Sequence, residues 1–239
     1  MVNGKQVFAG RELAVRVLYS AAGVATTIVL ENRRGGDLLL LDCGDGTLRD
    51  LLDAGLHPEW LSGIVLSHGH FDHLGGLHSV LGFLRMIGRD EALTVAYPAG
   101  CLEAEGLLNN FQTLYPDCSF AFELTPLEDG DILQLESWSI EVLAVEHAGS
   151  TAAGVGEAVP ALGCRVELGA ETAAYSGDSG PCDALEEICT EADIALIEAT
   201  WDASSPFDGG ERVHLTRDEA AAYGALARRF ELVHRRRER

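Results

Sequence analysis

The segment that most constrains this chain is a cluster of potential metal ligands directly after a short apolar strand. Ile64–Leu66 is predicted to be a strand, and the chain must turn where this apolar run ends. Four potential ligands follow within six positions: His68, His70, Asp72 and His73. Imidazole and carboxylate groups together suit zinc and similar borderline metals. Only eight histidines occur in the chain, so this concentration favours a metal site over a solvated polar loop.

The spacing of the four ligands favours two metal ions rather than one. His68 and His70 alternate along an extended segment, so their side chains can point to the same side. Asp72 and His73 continue into a turn and can face a second ion. Three glycines permit the tight backbone that such a turn requires: Gly69, Gly75 and Gly76.

The rest of the chain alternates short strands with helical patterns. The other predicted strands are Leu13–Tyr19, Thr26–Glu31, Leu38–Leu41, Leu93–Ala96, Phe120–Leu124, Ser139–Val145, Gly163–Leu168, Thr172–Tyr175 and Ile194–Glu198. The predicted helices are Leu48–Ala54, Leu74–Ile87, Gly100–Tyr115, Asp183–Glu191 and Arg217–Phe230. This order favours a sheet-based α/β sandwich with outer helices. The Gly/Ala-rich stretch Thr151–Pro160 predicts an exposed loop. With no repeat and no low-complexity linker, we expect a single domain over residues 1–239, with a short basic tail from about residue 235.

The charge of the chain argues against a nucleic-acid binder. It has 17 basic and 38 acidic residues, a net charge of −21. The part before Arg228 is more acidic still, with 11 basic against 36 acidic residues and a net charge of −25. A surface of this kind repels polyanions and lacks the basic stripe that nucleic-acid binding requires.

The same composition predicts a cytoplasmic protein without disulfides. No apolar run approaches the roughly 20 residues needed to span a bilayer, and no signal-peptide core follows the first residues. The six cysteines show no Cys-x-x-Cys spacing, so free buried thiols are expected rather than disulfides.

The pattern His-x-His-x-Asp-His after a strand resembles the signature of the metallo-β-lactamase superfamily. Further segments match its motifs in order: Leu41–Thr47 is similar to the early strand–turn motif, Ala144–His147 to the third motif and Tyr175–Gly180 to the motif with a bridging carboxylate. The resemblance covers almost the whole chain and implies a four-layer αββα sandwich. It also implies that Asp42 supports the metal loop without binding metal.

Within the superfamily, the chain resembles the ribonuclease Z-like phosphodiesterases. Three segments carry this likeness: Val159–Glu167, Ile197–Thr200 and Val213–Thr216. The resemblance implies that His214 is the general acid and that Glu198 orients it. A well-placed acid contributes about 10²–10⁴ in rate.

The resemblance also implies the ligands of two divalent ions, which we expect to be Zn²⁺, with Mn²⁺ and Fe²⁺ as alternatives. One ion would be held by His68, His70 and His147, the other by Asp72, His73 and His234, and Asp178 would bridge them. A hydroxide shared by the ions would be the nucleophile. Asp72 is therefore counted with His214 and Glu198 among the catalytic residues as well as among the ligands.

Several of these residues also have purely structural interpretations. His147 could be a core histidine at a strand end, and Asp178 could belong to an ordinary Gly-Asp turn. The spacing Thr216–Glu219 is that of a capping box, which could by itself explain the loop that contains His214. His234 precedes a run of arginines and could belong to a solvated tail.

These features favour a metal-dependent hydrolase of a small phosphodiester over a nuclease of folded RNA. The 31 positions from His147 to Asp178 have no room for the long arm that the resemblance implies for tRNA-processing members. Few cations are available for the counterion release that drives nucleic-acid affinity. Two alternatives remain: hydrolysis of a carboxylic ester, thioester or lactone at the same metals, and a non-catalytic metal-binding or regulatory protein with an incomplete second site. No membrane partner is expected, and a homodimer is open.

Overall fold

A computed structural model describes residues 4–151, 154–202 and 213–236 of the protein. The chain divides into two compact units, Met1–Leu127 and Glu128–Arg239, and each is built on one large sheet. Whether they make up the single domain expected from the sequence stays a prediction. No helix of the described residues is long and apolar enough to cross a membrane.

The sheet of the first unit has seven strands in chain order. They are β1 (Lys5–Ala9), β2 (Leu13–Ala21), β3 (Ala25–Asn32), β4 (Leu38–Leu41), β5 (Leu61–Val65), β6 (Leu93–Pro98) and β7 (Phe122–Leu127). The helices of this unit are α1 (Thr47–Asp53), α2 (Phe71–Leu74), α3 (Leu77–Met86) and α4 (Leu102–Leu114), with a 3₁₀ turn at Pro58–Trp60. Strands β1 to β4 pair antiparallel, and β4 to β7 pair parallel. The terminal strand β7 contains Pro126.

The parallel half of this sheet positions the ligand cluster. All four leucines of β4 are buried, as is typical of a strand covered on both faces. Leu41 pairs with Val65 at the ends of β4 and β5, so both strands end at the same edge of the sheet. The segment Ser67–His73 therefore leaves the sheet beside Asp42, whose backbone N–H donates to Val65 O at 2.9 Å.

The second unit contains a six-stranded sheet and a separate pair of strands. Its strands are β8 (Ile132–Leu135), β9 (Trp138–Ala144), β10 (Ala148–Thr151), β11 (Gly154–Ala158), β12 (Leu162–Leu168), β13 (Glu171–Tyr175), β14 (Ile194–Glu198) and β15 (Phe230–Val233). Its helices are α5 (Ala184–Cys189) and α6 (Arg217–Gly224). The order in the large sheet is β15-β14-β13-β12-β9-β8, and β10 pairs with β11.

Strand directions in the second unit bring four connecting segments to one edge. β12 is antiparallel to both β9 and β13, so β9 and β13 run in the same direction. β13, β14 and β15 pair parallel. The segments that follow β9, β13, β14 and β15 therefore leave the same edge. His147, Asp178 and His234 lie just after β9, β13 and β15, and Glu198 is the last residue of β14.

The predicted loop over Thr151–Pro160 is wrong in type. Within the described residues, β10 and β11 pair antiparallel, with Thr151 opposite Gly154 and Ala148 opposite Ala158. The expected exposure is confirmed at the end of β11, where residues 156–158 are exposed. A ladder of backbone hydrogen bonds needs no apolar side chains, so such a strand pair leaves no hydrophobic pattern in the sequence.

Two predicted helices are shorter than their patterns. Leu74–Ile87 is interrupted at Gly75 and Gly76, where the N–H of Gly76 donates to Cys43 O at 2.9 Å instead of within a helix. The backbone there passes so close to Gly44 that a Cβ on Gly76 would collide with Gly44 O. Arg217–Phe230 ends at Gly224, and Phe230 begins β15 instead. There the Phe230 ring packs directly on the Gly224 backbone, 2.6 Å from where a Cβ would stand. Strands β1 and β8 were not predicted at all.

A buried arginine, Arg89, donates hydrogen bonds at the starts of two strands of the first unit, β5 and β6. Arg89 is 8% exposed, and its guanidinium donates to four backbone carbonyls. Nε bonds Glu91 O at 2.9 Å, Nη1 bonds Glu59 O at 2.8 Å, and Nη2 bonds Leu61 O at 2.9 Å and Ala92 O at 3.0 Å. These carbonyls precede or begin β5 and β6, so one side chain donates to backbone acceptors at the start of both strands.

Replacing Arg89 by Met should lower the free energy of unfolding by about 3 kcal/mol, because buried carbonyls lose their donors. Urea unfolding followed by circular dichroism measures the change. Arg85→Met is the matched control, since Arg85 bonds the exposed Asp117 at 2.8 Å and should matter far less. Equal effects of the two substitutions would contradict this role of Arg89.

Candidate metal centre

The ligand cluster of the first unit is largely buried. His68 and His73 are 0% exposed and Asp72 is 5% exposed, while His70 is half-buried. Nε2 of His68 lies 3.0 Å from Nδ1 of His70, and Nε2 of His73 lies 3.9 Å from Oδ2 of Asp72. The backbone N–H of Gly23 donates to that same Oδ2 at 2.8 Å and orients the carboxylate. The nitrogen and oxygen atoms of the four side chains thus approach one another in two pairs, His68 with His70 and Asp72 with His73.

A buried carboxylate beneath this cluster determines which nitrogen of His73 carries the proton. Asp42 is 0% exposed and adopts a positive φ of 57°. It accepts hydrogen bonds from Ser67 N at 2.7 Å, from Ser67 Oγ at 2.8 Å and from His73 Nδ1 at 2.6 Å. Because Nδ1–H is donated to Asp42, Nε2 of His73 keeps its lone pair for a metal. Ser67 Oγ also lies 3.0 Å from Nδ1 of His68.

The glycine inside the cluster, Gly69, packs closely against side chains at the start of α4 and does not have a positive φ angle. A Cβ on Gly69 would stand 2.6 Å from Oε2 of Glu103 and 2.9 Å from Sγ of Cys101. Gly69 is not among the described residues with positive φ. A side chain at this position would have to displace the flexible carboxylate of Glu103 and the thiol of Cys101.

Two buried cysteines, Cys43 and Cys189, do not compete as ligands or nucleophiles. All six are free thiols, as expected, and four of them are buried. Burial raises the pKa of Cys43, the neighbour of Asp42, to about 12, and it raises the pKa of Cys189 to about 12. Both thiols therefore stay protonated at neutral pH, whereas a metal ligand must be a thiolate.

The second unit has a cluster of its own. His147, Asp178 and His234 are 4%, 2% and 3% exposed. Nδ1 of His147 lies 2.9 Å from Val213 O and donates to it, so Nε2 is the nitrogen that could bind a metal. Nδ1 of His234 lies 3.2 Å from Oδ1 of Asp178. One potential ligand atom each from His147, Asp178 and His214 lies within 4.8 Å of the others.

The burial and the neighbours of His147 and His234 bear on the structural alternatives for these two residues. His147 is buried at a strand end, but beside Asp178 and His214 rather than in an apolar core. His234 is buried next to an aspartate, whereas Arg235 and Arg236 after it are exposed. The solvated tail therefore begins after His234. Residues 237–239 lie outside the described residues.

His214 lies on a buried carboxylate in the same way as His73. Its Nδ1 is 2.9 Å from Oε1 of Glu198 and 3.9 Å from Oδ2 of Asp178. Glu198 is 0% exposed and also accepts from the backbone N–H groups of Thr200 at 2.9 Å and Leu215 at 3.0 Å. The side chain of His214 is 11% exposed, so a bound molecule can reach it.

The capping box at the start of α6 is present together with this pair. The N–H of Glu219 donates to Thr216 Oγ1 at 3.3 Å, and the N–H of Thr216 donates to Glu219 Oε2 at 3.0 Å. The cap fixes the end of the loop, and His214 projects from that loop toward Glu198. The two interpretations of this segment are compatible.

Two hydroxyl residues of the site were not singled out from the sequence. Ser67 links Asp42 to both His68 and His73, although it opens the ligand segment itself. Thr200 Oγ1 lies 2.9 Å from Nδ1 of His234 and donates to His234 O at 3.1 Å. Ser67 immediately precedes His68, and Thr200 ends the segment Ile197–Thr200, so their positions at recognised motifs could have identified them.

Comparison with known proteins is consistent with this geometry. A family model described as "Beta-lactamase superfamily domain" matches residues 38–234, and the chain belongs to this superfamily. Ribonuclease Z of Methanosarcina acetivorans is 28% identical, with 84% of this chain and 79% of the relative covered. Ribonuclease BN of Salmonella paratyphi B is 28% identical, with 76% of this chain and 72% of the relative covered.

Solved structures show the same fold. Human tRNase Z, short form, has a TM-score of 0.75 at 22% identity, with 93% of each chain covered. The metallo-β-lactamase fold protein YhfI of Bacillus subtilis has a TM-score of 0.74 at 21% identity, with 94% of this chain and 86% of that chain covered. The expected α/β class, the metallo-β-lactamase fold and the ribonuclease Z-like metal-dependent hydrolase class are confirmed.

Asp42→Asn should weaken zinc binding by about 10–100-fold, because the amide is a poorer acceptor for His73 Nδ1–H and no longer sets its tautomer. Competition with a chromophoric chelator measures the affinity. Asp45→Asn, three residues along and exposed, is the control and should bind zinc as the unchanged protein does. An Asp42→Asn protein with unchanged zinc affinity would show that Asp42 does not support the ligands.

Proposed function

We propose that the protein is a dinuclear metal-dependent phosphodiesterase that acts on a small phosphodiester. The observation that carries the proposal is the buried pair of His214 and Glu198 beside Asp178. A histidine held by a carboxylate next to a metal ligand can deliver a proton to a leaving oxygen. The class of the family and the inward-facing ligand sets support the same chemistry.

Following the family resemblance, the two clusters supply the ligands of two divalent ions. His68, His70 and His147 would hold one, Asp72, His73 and His234 the other, and Asp178 would bridge them. The donor sets fit such ions, because the imidazole–carboxylate mixture suits zinc and the Nδ1–H groups of His73 and His147 are already donated to acceptors. Zinc is our proposal, with manganese and iron as alternatives. When bound, a pair of such ions supplies a hydroxide nucleophile near neutral pH and stabilises the charge on a displaced oxygen.

The chain's own residues then have distinct tasks. Glu198 accepts Nδ1–H of His214, so the proton available for the leaving oxygen is the one on Nε2. The four donors around Glu198 include three backbone N–H groups, which hold the carboxylate in place. The N–H of Gly23 orients the carboxylate of Asp72, which stays close to Nε2 of His73.

Two substrate classes compete within this proposal. The net charge of −21 favours a small diester, because a large polyanion is repelled at long range. The relatives named ribonuclease Z and ribonuclease BN favour RNA as the second candidate. A carboxylic ester is less favoured, because the family resemblance associates the His214–Glu198 pair with phosphodiesterases, whereas members that cleave carbon esters more often rely on the metals and a tyrosine. The cytoplasmic location expected from the sequence stays a prediction.

Substrate choice is tested with an aryl phosphodiester, the matching aryl carboxylic ester and a precursor tRNA. We expect the diester to be cleaved faster than the ester and the tRNA to be cleaved poorly at moderate salt. Metal analysis of the same preparation should find about two divalent ions per chain. Efficient tRNA maturation would make RNA the substrate, and a metal-poor protein without turnover would support the regulatory alternative.

His214→Ala should lower turnover of an alkyl-leaving diester by about 10²–10⁴, with metal content unchanged. The loss should shrink for a nitrophenyl leaving group, because such a group departs without the proton. His234→Ala provides the contrast: it should lower metal content and impair all leaving groups alike. If His214→Ala lost metal, or were equally slow with every leaving group, the assignment of the acid would be wrong.

A further inference from the structure

An exposed cation is stacked on an aromatic ring close to the proposed acid. The guanidinium carbon of Arg236 lies 4.7 Å from the centroid of the Trp201 ring. Arg236 is exposed and Trp201 is half-buried. Stacking on an indole orients the planar guanidinium while its N–H groups remain able to bind another partner. The sequence alone placed this arginine in a solvated tail.

Trp201 is itself fixed by the loop that contains His214. The backbone N–H of Trp201 donates to Leu215 O at 3.1 Å, and its backbone carbonyl accepts from Arg217 N at 2.9 Å. Trp201 also forms a β-bridge with Thr216. The ring centroids of Trp201 and His214 are 6.5 Å apart. The capping box anchors the same loop, so Trp201 is held in a definite position relative to His214. The Trp201 ring is therefore near both groups, 4.7 Å from the guanidinium carbon of Arg236 and 6.5 Å from the His214 ring.

The two arginines at this loop differ in their electrostatic surroundings. Nε of Arg217 pairs with Oδ1 of Asp202 at 2.8 Å, so its charge is compensated. The contact of Arg236 with an indole compensates no charge, because the ring is neutral. In a chain with a net charge of −21, this exposed cation makes the local potential more favourable for an anion.

We propose that Arg236, positioned by Trp201, binds a second phosphate of the substrate that does not react. The inference rests on the proposed function and narrows its substrate class. A guanidinium offers paired N–H donors that match phosphate oxygens, and this bidentate contact is among the stronger hydrogen-bonded pairs. The preferred substrate is then a nucleotide-type diester with a further phosphate next to the scissile one. A diester that lacks this group is bound less tightly.

Ligand binding to the zinc-loaded full-length protein tests this site without turnover. The probes are thymidine 3′,5′-bisphosphate and the two thymidine monophosphates, with affinities measured by calorimetry. The unchanged protein should bind the bisphosphate about tenfold more tightly than the better monophosphate. The preference should decrease with added salt, because the group is exposed.

Substitutions assign this preference to the stacked arginine. Arg236→Gln should bring the affinity ratio close to one, Arg236→Lys should keep part of it, and Trp201→Leu should reduce it by releasing the guanidinium. Arg235→Gln is the matched control, since Arg235 is the exposed neighbour, and should keep the full ratio. A ratio near one in the unchanged protein, no measurable binding of the bisphosphate, or an unchanged ratio in Arg236→Gln would overturn the proposal.

Turnover of a thymidine nitrophenyl phosphodiester by the same preparations separates this proposal from the proposed function. If the ratio of affinities holds and no turnover is found, the phosphodiesterase assignment fails and the anion site stands. If turnover is normal and the ratio is one, the enzyme assignment stands and the anion site is wrong.

Discussion

The metal-binding half of the first unit depends on one buried acceptor, the carboxylate of Asp42. Three donors from the ligand segment converge on it, two from Ser67 and one from His73. A carboxylate with no access to water is costly unless such donors surround it, so the loop and the carboxylate stabilise each other. The parallel pairing of β4 with β5 makes this possible, because it places Asp42 and Ser67 at one sheet edge.

The second unit also contains a buried carboxylate bonded to a histidine, but this histidine is more exposed. Like Asp42, Glu198 is fully buried, surrounded by donors and bonded to Nδ1 of a histidine. The histidines differ in access, since His73 is 0% exposed and the side chain of His214 is 11% exposed. A sealed imidazole is suited to hold an ion permanently, and one that reaches solvent is suited to exchange a proton with a bound molecule. Burial, rather than the hydrogen-bonded pair, distinguishes the roles that we propose for His73 and His214.

Local sequence determined some elements fully and others only in part. β4 and β14 were predicted with their observed bounds, because both are short apolar runs that end at a polar motif. The break at Gly76 depends on a distant contact with Gly44, which helical periodicity cannot reveal. The candidate ligands His68, His70, Asp72 and His73 could be proposed from the sequence because the motif packs them into six positions. The stacking of Arg236 on Trp201 joins residues far apart in the chain, and no local pattern announces such a pair.

The proline in β7 has a consequence for how the protein behaves when crowded. β7 is the terminal strand of the first sheet, and such an edge can recruit a strand from another molecule. Pro126 has no N–H to donate and Glu123 adds a charge, so the ladder is difficult to extend there. Intermolecular sheet growth, the usual route to insoluble aggregates, is therefore discouraged at this edge by the covalent structure of the strand itself.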